Sequence, residues 1–242
     1  MAREQWDVVV VARRRERLEE LADRLTSEHD VSVRVIEADL SDVPQLTALA
    51  AEATDMGLEL LVNNAALAHY MPFAELPPDT ARALVDLNVL APVLLTRSVL
   101  PGMVDRGAGG IVNVASLLAF SGDWEGPQLP RRAVYAASKA FLVTFTQVLA
   151  SELQETGVRV QVVCPGVVRS EFHTRQGMDL SAVPRMEPAA VVQASLADLE
   201  RTTVVSIPGA SDDLAFEAIV AAQRELQDAT RAVELPDRYD SA

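Results

Sequence analysis

Val158-Arg-Val-Gln-Val-Val-Cys-Pro-Gly166 is the stretch of the chain that decides the fold. Its β-branched run has no clean alternation of apolar and polar residues, which is typical of a strand buried on both faces of a parallel sheet. A helical stretch at residues 133–155 precedes it, and another β-branched run at residues 111–114 comes before that helix. Residues 111–163 therefore predict a strand–helix–strand unit.

The same alternation extends through most of the chain. We expect strands at residues 8–11, 31–36, 58–62, 111–114, 158–163 and 203–207, and helices at residues 14–28, 42–54, 79–106, 133–155 and 188–201. This order predicts an α/β protein with a doubly wound, Rossmann-like parallel sheet. Because 242 residues suit one large core, we interpret residues 1–242 as a single domain, with a C-terminal helix and polar tail from about residue 210.

Composition narrows the class of protein. The net charge of −14 opposes binding to a nucleic-acid backbone, which requires a basic surface. No apolar run approaches the ~18–20 residues that a membrane helix needs, and the first ten residues lack the features of a secretory signal. Cys164, the single cysteine, cannot form an internal disulfide. We therefore expect a cytoplasmic protein that binds neither nucleic acid nor membrane.

Tyr135-Ala-Ala-Ser-Lys139 opens an apolar helix and is the strongest chemical signal. Residues four apart share a helix face, so the phenol and the ammonium project side by side. A nearby cation favours the phenolate and lowers a tyrosine pKa from its usual ~10, which makes the phenol a workable general acid or base. An isolated pair of this kind is more often a surface feature. Here, however, Lys139 is the one lysine among 21 basic residues.

Polar and small residues occur in a fixed order at the ends of the predicted strands. They are Asn63-Asn64-Ala65-Ala66, Val112-Asn-Val-Ala-Ser116, Pro165-Gly166 and Ser170, with Asn88 inside a long helix. Together with Tyr135 and Lys139, this ordered set resembles the short-chain dehydrogenase/reductase family. The resemblance covers nearly the whole chain, from Trp6 to about Gly209.

The resemblance implies roles for four residues. Tyr135 would protonate a carbonyl oxygen during reduction, or accept the proton in the reverse oxidation, and Ser116 would hydrogen-bond and orient the same oxygen. Lys139 would lower the tyrosine pKa and, beside Tyr135, bind the nicotinamide ribose. Asn88 would hold a water that links Lys139 to solvent as a proton relay.

The resemblance also implies a set of cofactor contacts. The matching residues are Asp39 and Leu40 at the adenine, Asn63 and Ala65 beside the adenosine ribose, and Pro165, Gly166, Val168 and Ser170 in the turn that holds the carboxamide. The family usually has glycine where Ala66 stands and threonine where Ser170 stands, so these two positions are mild departures.

The residues after the first strand favour one cofactor. A carboxylate there would accept hydrogen bonds from the ribose of NAD, whereas arginine accommodates the 2′-phosphate of NADP. The chain has Ala12-Arg13-Arg14-Arg15 and no carboxylate before Glu16. Guanidinium groups match phosphate geometry, so we predict NADP(H), with Arg13 as the contact.

Two features depart from the family. The first central strand and the Gly-rich turn that would carry the pyrophosphate are missing, because residues 1–7 resemble the end of the helix that follows that turn. We therefore expect a gap in the sheet beside Asn63-Asn64, and a truncated chain that lacks roughly 20–25 residues before Met1. Ser116 and Tyr135 are also 19 positions apart, longer than usual by about half a dozen, with the extra residues in a loop at 122–132 that contains Trp124.

The sequence thus predicts an NADP(H)-dependent oxidoreductase that acts on a small carbonyl or alcohol substrate. The family resemblance implies a homodimer or homotetramer formed through the helices of Asn88 and Tyr135. The alternative is a catalytically silent, dehydrogenase-like binding or regulatory protein, made plausible by the missing turn. A serine hydrolase using Ser116 is disfavoured because no GxSxG elbow is present. The histidines have no metal-ligand spacing, so we expect no metal site.

Overall fold

The computed structural model describes residues 1–122 and 131–230. The strands are β1 (Val8–Ala12), β2 (Val33–Glu37), β3 (Leu60–Asn63), β4 (Gly109–Val114), β5 (Val158–Val163) and β6 (Val205–Ser206). The helices are α1 (Arg15–Glu28), α2 (Val43–Asp55), α3 (Pro78–Val85), α4 (Ala91–Arg106), α5 (Ala133–Glu152), α6 (Glu171–Thr174), α7 (Pro188–Glu200) and α8 (Leu214–Ala229). The fold is α/β, as predicted, and the six predicted strands are all present with slightly shifted ends.

All strand pairs among the described residues are parallel. The larger sheet has the order β3-β4-β5-β6, and β1 pairs with β2 in a second sheet. The register of β4 on β5 runs from Gly109 opposite Val158 to Val114 opposite Val163. Both strands therefore end at the same edge, where the chain continues into Ser116 and Cys164. This edge is where open parallel sheets bind ligands.

The sheet is interrupted beside Asn63, where the sequence predicts a gap. Within residues 1–122 and 131–230, β1 forms a ladder only with β2, and no ladder joins it to β3. The two sheets nevertheless pack against the same apolar cluster. The cluster contains the buried Leu46 and Leu95, and Val11 of β1 and Leu61 of β3 pack against it. The expectation that residues precede Met1 stays a prediction.

The helix predicted at residues 79–106 is continuous but not uniform. A π-helical turn, Asp86–Leu90, separates α3 from α4. Pro92 has no N–H to donate to the carbonyl of Asn88, so the regular α-helical ladder cannot pass this point. Such turns insert one extra residue, and they are frequent at functional sites. The prediction of one regular α-helix is therefore wrong at residues 86–90, and Asn88 lies at the centre of this π-helical turn.

Two smaller differences concern loops and ends. Helix α5 ends at Glu152 instead of continuing to residue 155. The segment at residues 171–187, predicted as irregular, contains the short helix α6, which Ser170 caps by accepting a hydrogen bond from the N–H of Phe172. Trp124 and most of the predicted loop at residues 122–132 lie outside the described residues, as does the tail after residue 230.

Among residues 1–122 and 131–230, two helical stretches are long and apolar enough to cross a membrane by length and composition. They are Pro78–Arg106, with a mean hydropathy of 1.6, and Ala133–Glu152, with 1.3. Both contribute fully buried side chains to the interior, such as Leu84, Met103 and Leu142. Core helices of this kind meet the same criteria, which rest on length and hydropathy alone.

The backbone divides into two compact units, Met1–Pro208 and Gly209–Ala242. The first contains both sheets and helices α1 to α7. The second contains α8, whose Leu214, Ile219 and Leu226 are exposed.

Candidate active site

The candidate site lies at the carboxyl ends of β3, β4 and β5. Ser116 follows β4 by two residues and caps a 3-10 turn, Leu117–Phe120, by accepting a hydrogen bond of 3.2 Å from the N–H of Leu118. Helix α5 begins at Ala133 and presents Tyr135 and Lys139 toward this edge. The backbone N–H of Leu117 donates to the carbonyl of Pro165 at 2.9 Å, which joins the turns after β4 and β5.

Tyr135 is buried and hydrogen-bonded at its hydroxyl. Burial raises its pKa to about 12, although hydrogen bonds from the side chains of Ser116 and Tyr70 act in the opposite direction. Desolvation outweighs the two hydrogen bonds because it penalises the charged phenolate. Tyr135 is therefore a neutral phenol at ordinary pH.

Lys139 is only 2% exposed. Its ammonium donates a hydrogen bond of 2.8 Å to the carbonyl of Val114, at the end of β4, and lies 5.8 Å from the centre of the Tyr135 ring. Burial lowers its pKa to about 8, because an ammonium is costly to desolvate. The expectation that Lys139 brings the pKa of Tyr135 below 10 is wrong for this structure. The ammonium points to the backbone of β4, and burial dominates the phenol.

Asn88 is 1% exposed, and its carboxamide is fully used within the protein. Its Oδ1 accepts from the N–H of Leu67 at 2.9 Å, and its Nδ2 donates to the carbonyl of Leu67 at 2.9 Å and to Oγ of Ser138 at 3.0 Å. Asn88 thus joins the loop after β3 to the residue before Lys139. The structure brings the four predicted catalytic residues to one place, and the water relay stays a prediction.

The residues predicted to contact adenosine lie at the ends of β1, β2 and β3. Nη1 of Arg13 is 3.6 Å from Oδ2 of Asp39. Burial raises the pKa of Asp39, but hydrogen bonds from Ser41 and the charge of Arg13 together lower it below its usual value. Leu40 packs against the apolar cluster between the sheets and α2. Arg13 and Asp39 thus lie side by side, and the adenosine contacts stay a prediction.

Asn63 does not present its side chain to a ligand. Its carboxamide donates to Oδ1 of Asn113 at 2.8 Å and to Oγ1 of Thr96 at 3.3 Å, and Asn113 in turn donates to Oγ1 of Thr146 at 2.9 Å. This buried network holds β3 and β4 against α4 and α5. Only the backbone of Asn63 is available for the predicted adenosine contact, together with the exposed Ala65.

The predicted carboxamide turn follows β5 without a break. Gly166 is exposed, and a Cβ added there would meet nothing within 4 Å, so space for a ligand is present above the turn. Val168 forms an isolated parallel bridge with Met186, and the hydroxyl of Ser170 is engaged in capping α6. Glu171 of α6 accepts a hydrogen bond of 3.2 Å from Arg17 and also pairs with Arg175. These contacts tie α6 to α1.

Two aromatic residues were not identified from the sequence. The ring of Tyr70 lies edge-on to Tyr135, with 5.7 Å between ring centroids, and that of Phe172 lies 6.1 Å away and is tilted. Tyr70 lies in the irregular loop after β3 and Phe172 in the four-residue helix α6, which is too short for periodicity to indicate. The sequence indicates these two residues only by their position, because each follows a strand that ends at the site edge.

The described residues hold no group of three or more His, Cys, Asp or Glu side chains suited to a metal. Cys164 is completely buried directly after β5, and burial raises its pKa to about 12. A buried, protonated thiol of this kind is a packing residue.

Comparison with known proteins agrees with this geometry. The short-chain dehydrogenase family model matches residues 1–180. The chain belongs to the short-chain dehydrogenase/reductase family. A short-chain dehydrogenase from Sphingobium yanoikuyae, solved in complex with NADPH, is similar to it with a TM-score of 0.92 and 33% identity, over 98% of this chain and 91% of that one. A bulky-bulky ketone specific alcohol dehydrogenase from Comamonas testosteroni has a TM-score of 0.87 and 28% identity, over 98% and 90%.

Among relatives by sequence, the ketoacyl reductase HetN of Nostoc sp. is 35% identical over 170 residues. That match covers 69% of this chain and 57% of the Nostoc protein, so the shared part is little more than half of that relative. The family membership makes the chain a relative of oxidoreductases with a Rossmann-type fold.

Proposed function

We propose that the protein is an NADP(H)-dependent oxidoreductase that transfers hydride between the nicotinamide and a small carbonyl or alcohol substrate. One observation carries the proposal: the buried hydroxyl of Tyr135 is hydrogen-bonded to Ser116, one helical turn from the buried Lys139. An acid–base group, an orienting hydroxyl and a cation meet at the carboxyl edge of a parallel sheet. Family membership supports the same chemistry.

In the reduction, Tyr135 gives its hydroxyl proton to the carbonyl oxygen while the bound NADPH supplies hydride to the carbonyl carbon. Ser116, which already bonds the Tyr135 hydroxyl, holds the same oxygen in place. A phenol with a pKa of about 12 is protonated at neutral pH, so the site is set to donate a proton. The rings of Tyr70 and Phe172 cover Tyr135 and exclude water from it.

The preference for NADP(H) over NAD(H) rests on the arginines near the end of β1. Arg13 lies beside Asp39, and Arg14 lies within electrostatic reach of Arg13, Arg17 and Arg175. This local concentration of guanidinium groups contrasts with the net charge of −14 and suits a 2′-phosphate. Asp39 is already engaged by Ser41 and Arg13, which leaves it poorly placed to receive the ribose of NAD. The Sphingobium relative, solved with NADPH, supports this choice.

One observation favours the second candidate, a silent binding or regulatory protein. A glycine-rich strand-to-helix turn would cradle the pyrophosphate, and in the part of the chain that the structure describes no connection from a strand to a helix is rich in glycine. The adenosine and nicotinamide ends of the site fit the cofactor better than its centre does. Binding of NADPH and turnover must therefore be measured separately.

The test compares wild type with Tyr135→Phe in the NADPH-dependent reduction of a panel of ketones and aldehydes. We expect the variant to bind NADPH as wild type does, by quenching of tryptophan fluorescence, and to turn over at least ~100-fold more slowly. Tyr239→Phe, which removes a hydroxyl from the C-terminal tail, is the matched control. Wild type should also have a higher kcat/KM with NADPH than with NADH.

Each outcome separates the candidates. A Tyr135→Phe variant that keeps more than a tenth of the wild-type rate would exclude Tyr135 as the proton donor. Tight NADPH binding by a wild type that reduces no carbonyl in the panel would favour the silent binding protein. Equal efficiencies with the two cofactors would contradict the NADP(H) preference.

A further inference from the structure

Tyr70 is held against the acid–base residue by the loop after β3. Its ring lies edge-on to Tyr135 at 5.7 Å, with 76° between the ring planes, and the two hydroxyls interact closely enough for each to shift the pKa of the other. The loop is fixed at two points shortly before Tyr70. Asn88 binds both the N–H and the carbonyl of Leu67, and Ala68 is completely buried. The position of Tyr70 is therefore set by the fold.

The contact lowers the pKa of Tyr135 and raises that of Tyr70. A hydrogen bond in which the Tyr70 hydroxyl donates and the Tyr135 oxygen accepts has this effect, because it favours the Tyr135 phenolate. With this orientation, the proton of Tyr135 itself remains available for a substrate oxygen.

We propose that Tyr70 is a positioning residue of the reaction, which donates a hydrogen bond to Oη of Tyr135 and stabilises the phenolate that proton transfer leaves there. The proposal rests on the proposed function, in which Tyr135 is the proton donor. During reduction the Tyr135 O–H bond breaks, its proton forms the new O–H bond of the alcohol, and the electron pair stays on Oη. Tyr70 keeps its proton throughout and strengthens its hydrogen bond as the negative charge develops.

Phe172 provides the contrast that makes this role testable. It packs on Tyr135 at 6.1 Å, about as close as Tyr70, but it has no hydroxyl. Both rings bury Tyr135, and only Tyr70 also donates to it. Loss of the Tyr70 hydroxyl should make Tyr135 a weaker acid, whereas loss of the Phe172 ring should admit water and make it a stronger one.

Substitution of Tyr70 or Phe172 leaves the other titratable side chains around Tyr135 in place. Lys139 lies one turn along α5, and the buried Cys164 is coupled to Lys139. The ring of His173 lies edge-on to that of Phe172 at 5.4 Å, and burial lowers the pKa of His173, so it is neutral in the alkaline range where Tyr135 titrates.

The experiment labels the protein with tyrosine carrying carbon-13 at Cζ. The chain has three tyrosines, so each signal can be assigned by a single Tyr→Phe variant. We expect Tyr70→Phe to move the titration of Tyr135 upward by about one pH unit, the shift that loss of a hydrogen bond to a charged oxygen produces. At pH 11.5 its phenolate fraction should be several-fold smaller than in wild type. Phe172→Leu should leave the titration unchanged or move it downward.

The kinetic counterpart is the pH profile of alcohol oxidation with NADP⁺. The acidic limb of kcat/KM should shift upward by about one pH unit in Tyr70→Phe, and Phe172→Leu should show no upward shift. An unchanged Tyr135 titration in Tyr70→Phe overturns the inference, even where Tyr135→Phe is inactive. An active Tyr135→Phe instead overturns the proposed function, whatever the titration shows.

Discussion

Tyr135 and Lys139 illustrate what residue spacing predicts and what it leaves out. Their separation of four positions on a helix places both side chains at the site, as expected from the sequence. Their electrostatics depend on residues that are distant in the chain: the carbonyl of Val114 draws the ammonium toward β4, and Phe172 covers the phenol. Burial then moves the pKa of Tyr135 up to about 12 and that of Lys139 down to about 8.

The buried ammonium should cost the protein stability. Lowering the pKa of Lys139 from 10.5 to about 8 corresponds to about 3 kcal/mol in favour of the neutral form. The folded state carries this cost in full below pH 8 and is relieved of it as the pH rises from about 8 to 10.5. We expect Lys139→Met to abolish activity but to raise the free energy of unfolding at pH 7 by about 2 kcal/mol, since one hydrogen bond is lost as well.

Urea denaturation at pH 7 and pH 9.5 checks this prediction. The difference between Lys139→Met and wild type should shrink at the higher pH, because wild type has by then lost the unfavourable charge. A variant less stable than wild type at pH 7, or a difference that is the same at both pH values, would contradict the assigned burial cost.

At the scale of elements, Asn88 connects three segments that meet at the site. The π-helical turn carries it, the loop after β3 is bound at Leu67, and α5 is bound at Ser138. The sequence placed Asn88 in a long helix and, by resemblance, near the catalytic residues. It could not show the turn or the contact with Leu67, because both depend on how the helix packs against a loop 21 positions away.

Asn88→Ala should therefore loosen the site as well as the core. The substitution removes the side-chain partner of the N–H and carbonyl of the half-buried Leu67 and leaves a cavity at the buried position 88, and we expect the free energy of unfolding to fall by about 2–4 kcal/mol. Because Tyr70 lies three residues beyond Leu67, NADPH-dependent turnover should fall too. Asn64→Ala, at an exposed asparagine on the same loop, is the control and should change stability little. Equal stabilities of the two variants would show that the Asn88 contacts contribute nothing.

At the scale of the whole molecule, the sequence predicted the parallel sheet, the order of its strands along the chain and the interruption beside Asn63. These follow from local patterns: apolar runs define strands, and a missing run leaves a gap. The contact between Arg17 of α1 and Glu171 of α6 could not be predicted. The two residues are 154 positions apart in the chain, and no sequence motif links them. Contacts of this kind are fixed by the packing of loops.

The outer face of α5 supports the predicted oligomer. From Ala133 to Val148 its exposed residues recur at helical spacing and carry no charge: Ala133, Ala137, Phe141, Thr144 and Val148. Ser151 and the charged Glu152 are exposed at the end of the helix. Phe141 is 38% exposed and stacks on Phe145 at 5.8 Å, and Val148 is 54% exposed. An apolar stripe on a protein with a net charge of −14 suits an interface with a second copy.

We expect the wild type to sediment as a dimer or tetramer at micromolar concentration, and Val148→Glu to sediment as a monomer. In a two-fold interface the same stripe meets itself, so one substitution places two carboxylates in a desolvated contact. Val192→Glu is the matched control, because Val192 on α7 is 52% exposed, nearly as much as Val148. It should leave the oligomer intact. A monomeric wild type, or a Val148→Glu variant that remains oligomeric, would show that α5 does not form the interface.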